Sequence, residues 1–264
     1  MDSAVTSETL DRESAPSVLW KAFDVLGSFS QSRRALTLSE ISRGSGLPKS
    51  TVHRILTMLL EVKAVERVGS RYRLGLAIFA MGTCSAETAL RDVALPYLER
   101  LRRTTGQTVH LAVLDSSDVV YIEKLVSPSS PPTPAIVGGR LPAHATGIGK
   151  ALLAFSPDGT RPPDNLDRML PARTTATMTR PAALWQCLRE VRANGVATDR
   201  GEAASGLACV AAPIIVNSRP VAAISLGFPT TAGSGQQFVN PLREAAAAIA
   251  RAVVTSAKVP LAAT

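Results

Sequence analysis

Residues 37–60, Thr-Leu-Ser-Glu-Ile-Ser-Arg-Gly-Ser-Gly-Leu-Pro-Lys-Ser-Thr-Val-His-Arg-Ile-Leu-Thr-Met-Leu-Leu, constrain this chain more than any other segment. They read as two short helices joined by a tight turn. Thr37 and Glu40 have the spacing of a capping box, which starts the first helix near Leu38. Gly44, Gly46 and Pro48 end it and open the second, since proline is tolerated in a first helical turn. In the second helix Val52, Ile55, Leu56, Leu59 and Leu60 repeat at helical spacing and form one buried stripe. Lys49, Ser50, Thr51, His53, Arg54 and Thr57 then face the other way. These are donors for phosphates and base edges, gathered where a recognition helix enters a groove. Ser39 on the first helix joins them as a candidate contact.

The same pattern also suits a helical hairpin with a merely solvated polar side, so the flanks matter. Upstream, Val18, Leu19, Ala22, Phe23, Val25, Leu26 and Phe29 predict a third amphipathic helix that covers the pair. Downstream, Val65–Val68 and Arg71–Leu74 flank Gly69-Ser70, the signature of a tight hairpin. Three helices and a hairpin make a winged helix-turn-helix over 17–75. Its wing arginines, Arg67, Arg71 and Arg73, are placed for phosphates or a minor groove.

Charge supports this reading. The chain carries 29 Lys+Arg against 21 Asp+Glu, a formal net charge of +8. Residues 17–75 hold ten basic and four acidic side chains, so the surplus is densest around the motif. Residues 1–16, with four acids and one arginine, read as a disordered tail.

The remaining 189 positions are enough for a second domain with its own core. Leu76 to Ala86 is an apolar helical stretch, taken as a linker helix over 76–88. A second helix is expected from about Ala89 to Thr105. Strand-like alternation follows at Thr108–Asp115 and Val119–Leu125. Helices are expected at His144–Phe155 and Ala182–Asn194, strands at Ala208–Val216 and Val221–Phe228, and a last helix at Val239–Ala257. Hairpins alternating with helices predict an antiparallel α+β domain over 89–258. No apolar run reaches the ~18–20 residues of a membrane span, and the acidic N-terminus is not a secretory signal. Cys84, Cys187 and Cys209 lack a disulfide pattern, which points to a reducing cytoplasm.

His110, His144, Asp199 and Cys209 are residue types that bind metals or form a Cys–His couple. None has a tight ligand spacing, and no nucleophile elbow or phosphate loop is present. The expectation is a chain with no enzymatic activity, metal or cofactor. Gly138, Gly139, Gly147 and Gly149 bracket a helix start, where backbone N–H groups favour an anion such as a carboxylate.

The chain as a whole resembles the IclR family of transcriptional regulators from about Val18 to Ala257. The resemblance rests on ordered runs, including Leu36-Thr-Leu-Ser-Glu-Ile41, Gly46-Leu-Pro-Lys-Ser-Thr-Val-His-Arg54 and Tyr72-Arg-Leu-Gly75. It continues through Thr105–Asp115, Val120–Lys124, Gly139–Ala151, Gly206–Pro213 and Val221–Ser225. It implies a winged helix-turn-helix, a linker helix and a GAF-like antiparallel effector-binding domain. It also implies homodimers, often pairing into tetramers, on a palindromic double-stranded DNA operator, with a small-molecule effector and no membrane partner. Carried over from the family, the effector site takes Gly147, Ile148, Asp199, Leu207, Cys209 and Ser225. Members that bind small oxo-acids often have a second serine two residues after the last of these. Gly227 occupies that position here, which favours a different effector, larger or aromatic; the effector class expected is a carboxylic acid or an aromatic catabolite. The competing reading is an architectural DNA-binding protein whose C-terminal domain is structural.

Overall fold

The computed structural model describes residues 17–30, 32–157, 169–256 and 259. The expected tail over 1–16 and the last residues of the terminal helix lie outside them. The chain divides into two units, Met1–Cys84 and Ser85–Thr264, each considered by itself.

The first unit contains α1 (Val18–Leu26), β1 (Ala35–Thr37), α2 (Leu38–Ser45), α3 (Lys49–Glu61), β2 (Val65–Val68), β3 (Arg71–Leu74) and α4 (Leu76–Thr83). The capping box forms: the Thr37 N–H donates to Glu40 Oε2 at 2.7 Å, and the Glu40 N–H donates to Thr37 Oγ1 at 3.3 Å. Gly46 closes α2 in the left-handed region, at φ 71°. Gly44 lies within α2, and Pro48 is the N-cap of α3 rather than part of its first turn. Val52, Ile55 and Leu56 are fully buried with Ile41, Val25 and Leu36 in one core. At about 1.5–3 kcal/mol each, such side chains dominate the stability of a unit this small.

Two features depart from the sequence reading. The wing is a three-stranded antiparallel sheet in the order β1-β3-β2, because the triplet before the capping box pairs with β3. In α1, Val25 is buried and Ala22 and Leu26 pack on the core, but Val18, Leu19 and Phe23 are more than half exposed. Only part of that helix's apolar surface covers the pair.

The second unit contains α5 (Ala86–Thr105), β4 (Thr108–Asp115), β5 (Asp118–Leu125), β6 (Arg140–Pro142), α6 (Gly147–Phe155), α7 (Pro181–Asn194), β7 (Ala197–Arg200), β8 (Leu207–Val216), β9 (Arg219–Pro229) and α8 (Val239–Thr255). Its six strands form one antiparallel sheet in the order β6-β5-β4-β9-β8-β7. One face buries Leu98, Leu111, Ile214, Ile224 and Phe228 together with α5 and α8. The other packs Val119, Tyr121, Ala211 and Ala223 against α6 and α7. The helix expected from His144 begins instead as a 3-10 turn over Ala143–Ala145, with α6 starting at Gly147. The strands β6 and β7, not assigned from the sequence, form the two edges of the sheet.

Candidate DNA interface and effector site

On α3 the buried stripe turns the opposite flank to solvent. Lys49, Ser50, His53, Arg54 and Thr57 are exposed and Thr51 is half-buried. Among the described residues, neither Lys49 nor Arg54 is held in an ion pair. Ser39 and Arg43 are exposed on α2; Arg43 is a further cation that the sequence reading did not single out.

The wing arginines differ from one another. The Arg73 guanidinium grips Glu66 Oε2 through Nε at 2.9 Å and Nη2 at 2.7 Å. Arg71 Nη1 donates to the Ala35 carbonyl at 3.0 Å and to Glu40 Oε2 at 3.2 Å. These bonds follow from the sheet register, which sets Arg71 opposite Thr37 and Arg73 opposite Glu66. They hold both carboxylates below their usual range: Glu40 chiefly through the Thr37 N–H, and Glu66 chiefly through Arg73. Arg67 donates to the nearby Gly69 carbonyl at 3.0 Å, and among the described residues it is not held in an ion pair.

In the second unit the sheet register assembles a polar hollow on the α6 side. One row of neighbouring residues across the strands is Asp199, Cys209, Gly227 and Thr108; the next is Ala211, Ser225, His110 and Lys124. Small residues in the middle of both rows leave the strand backbones accessible from above. The Gly147 N–H at the start of α6 points to Cys209, the Gly149 N–H bonds Thr146 Oγ1 at 3.0 Å, and the Ile148 N–H is left uncommitted among the described residues. A Cβ on Gly147 would lie 2.5 Å from Cys209 Sγ and 3.5 Å from Asp199 Cβ, so these three residues meet at one point. A Cβ on Gly227 would lie 3.5–3.7 Å from His110, Leu207 and Thr133, in ordinary van der Waals contact, so these three side chains gather over the Gly227 backbone. Gly147, Asp199 and Cys209 thus meet, Ser225 lies in the neighbouring row of the same sheet face, Leu207 lies two residues before Cys209 on β8, and Ile148 is buried beside them. Phe228 points the other way and packs in the core on the opposite face of the sheet.

The buried groups here are strongly perturbed. Asp199, 2% exposed, is pushed up to about 6 by burial and by the charge of Glu202, against the bonds it accepts from the Glu202 and Ala203 N–H groups. Burial also raises the Cys209 thiol and the Tyr121 phenol. It lowers His110 to about 3, helped by the nearby Lys124 charge, so that imidazole is neutral. Lys150 on α6 is buried and donates to Glu202 Oε1 at 2.6 Å, while Glu202 Oε2 has no hydrogen-bond partner among the described residues. Sequence reasoning missed His110 as a wall residue and missed Thr133, Tyr121, Lys150 and Glu202. The inward phase of His110 on an alternating strand was the available signal. Among the described residues no group of His, Cys, Asp and Glu is arranged to hold a metal.

A winged helix-turn-helix joined to an antiparallel sheet domain with a polar hollow defines a ligand-responsive transcriptional regulator. Two family models match it: the IclR helix-turn-helix domain over residues 18–69 and the bacterial transcriptional regulator IclR C-terminal domain over 81–253. The chain belongs to the IclR family. It is 33% identical over 245 residues to the HTH-type transcriptional regulator XynR of Escherichia coli, covering 88% of this chain and 95% of that one. It is 34% identical over 217 residues to the transcriptional repressor IclR of the same organism, covering 80% and 79%. A crystal structure of an IclR homolog from Microbacterium hydrocarbonoxydans, complexed with 4-hydroxybenzoate, superposes with a TM-score of 0.81 at 32% identity, covering 91% of this chain and all of that one. The Thermotoga maritima IclR superposes with a TM-score of 0.69 at 28% identity, covering 88% and 97%. No described helix is long and apolar enough to cross a membrane.

Proposed function

We propose that two copies of this chain bind a palindromic operator through α3, and that an aromatic carboxylic acid in the sheet hollow modulates this binding. The exposed polar flank of α3, with Lys49 and Arg54 unpaired, is the observation that carries the reading. Arg54 is assigned to a base edge and Lys49 to phosphate, with Ser39, Ser50, Thr51 and His53 contributing further contacts. Arg67 contacts the backbone as it stands, whereas Arg71 and Arg73 must first exchange their carboxylate partners for phosphate. Leu19 and Phe23 on α1, with Leu76, Phe79 and Met81 on α4, present exposed apolar faces that fit a second copy of the chain.

Gly147, Ile148 and Cys209 would receive the carboxylate at the start of α6. Asp199, Leu207 and Ser225 complete the wall. The 4-hydroxybenzoate held by the superposed homolog supports an aromatic acid. The ligand must bind one dimer arrangement better than another, since only differential affinity shifts an equilibrium. The role is regulatory and not enzymatic.

The test is an electrophoretic mobility shift on a duplex selected in vitro by the pure protein, with and without 4-hydroxybenzoate. The acid should change operator affinity, and operator should change acid affinity by the same factor. Operator binding that no aromatic acid alters would favour the architectural reading.

A further inference from the structure

Next to the Cys209 row, the same face of the sheet holds a second polar assembly. His110 on β4 stands directly opposite Ser225 on β9, and its Nδ1 lies 3.4 Å from Ser225 Oγ. Its Nε2 lies 3.1 Å from Thr133 Oγ1, which belongs to the segment between β5 and β6. His110 and Thr133 are the side chains that a Cβ on Gly227 would touch, at 3.5 and 3.7 Å, and Ser225 is two residues from Gly227 on the same strand face. Lys124, next in the same row, turns its ammonium away: Nζ donates to the Ala135 carbonyl at 2.7 Å and to the Thr133 carbonyl at 3.4 Å.

We propose that His110, bridging Ser225 and Thr133, is the specificity-determining residue of the effector site. It reads an uncharged hydroxyl on the ligand at the end opposite its carboxylate. A neutral imidazole has one donor and one acceptor nitrogen, so between two hydroxyls it accepts from one and donates to the other. The hydroxyl that receives the imidazole proton keeps its own proton to donate. The other keeps lone pairs to accept. A ligand hydroxyl, which does both, matches either end of this relay. A second carboxylate does not, because it brings a buried charge and the Lys124 ammonium is already committed to carbonyls.

The span also selects the ligand. Cys209 and His110 lie two strand spacings apart across the sheet and two residues apart along it, about 12 Å in all. That distance suits a benzene ring with a polar group at each end and a hydrogen bond beyond each of them. An acid of two or three carbons cannot reach both.

This inference rests on the aromatic-acid reading above, and the two fail separately. Titration calorimetry on the full-length protein would compare 4-hydroxybenzoate, benzoate and terephthalate. The hydroxy acid should bind about ten-fold more tightly than benzoate, the worth of one hydrogen bond, and terephthalate more weakly than either. His110→Phe should bring the ratio of the first two dissociation constants near one. Thr133→Val, which removes the outer hydroxyl without emptying the site, should lower it several-fold. A purely structural role for His110 would weaken both acids alike and keep the ratio. A kept ratio in both variants, or a wild-type preference for benzoate or terephthalate, overturns the role of His110 while leaving an aromatic effector in place. Binding of none of the three refutes both.

Discussion

Asp199→Asn should make the second unit more stable at pH 8 and leave it little changed at pH 4. The carboxylate is 2% exposed, and its pKa is raised from 3.8 to about 6, chiefly by burial. Lys150, the cation of that neighbourhood, is spent on Glu202. The folded state therefore retains a proton between pH 4 and 6 that the unfolded chain has released. Stability is full below the unfolded value and falls as pH rises through about 6. Two pKa units at 1.36 kcal/mol each put the loss at about 3 kcal/mol. Asparagine removes the charge and keeps an acceptor for the Glu202 N–H, now 2.7 Å from Oδ1. It gives up the longer bond from the Ala203 N–H, at 3.4 Å, a cost of about 1 kcal/mol shared by both pH values. The variant's advantage should thus grow by about 3 kcal/mol from pH 4 to pH 8. Urea denaturation followed by circular dichroism at both pH values measures it, with the C-terminal transition fitted by itself. A growth under 1 kcal/mol, or one of opposite sign, would show that Asp199 is solvated or paired in the folded protein.

Three other outcomes are expected. Arg54→Ala should cost about 1–3 kcal/mol on the selected operator and relax its base preference, as read by binding to a library of single-base variants. Gly147→Ala should abolish the effector response in a mobility shift while operator binding persists, because the new methyl would collide with Cys209 Sγ. Thr37→Ala should lower the melting point of the N-terminal unit by removing the α2 cap, at a cost of about 1 kcal/mol, and a fall beyond 2 kcal/mol would mean that more than the cap was lost.

Local chemistry made much of this protein legible in its residues. The capping box spans four positions and the α3 stripe repeats every three or four, so both are written within one turn or two of the chain. The boundary glycines after α2 and α7 signal the left-handed region that few other residues enter. Three short strands escaped: β1, β6 and β7 are too short for alternation to appear and, unlike β2 and β3, have no tight Gly-Ser turn to announce them; they exist because neighbouring strands accept them as edges.

What the tertiary structure decided is which side chains answer one another across long stretches of chain. Arg71 is tied to Glu40 because β1 pairs with β3, so a cation that looks available in the sequence is committed in the fold. His110 meets Ser225, 115 positions away, only through the register of β4 against β9. A register shift after Leu111 places Lys124 beside His110 and sends Glu123 to Arg91 on α5. A one-residue slip in any of these pairings would move each side chain to the other face. The sequence by itself determined the helices, the groove-facing flank and the fold family. Pairing between distant strands determined the hollow, because register is a property of two segments at once and no single segment contains it.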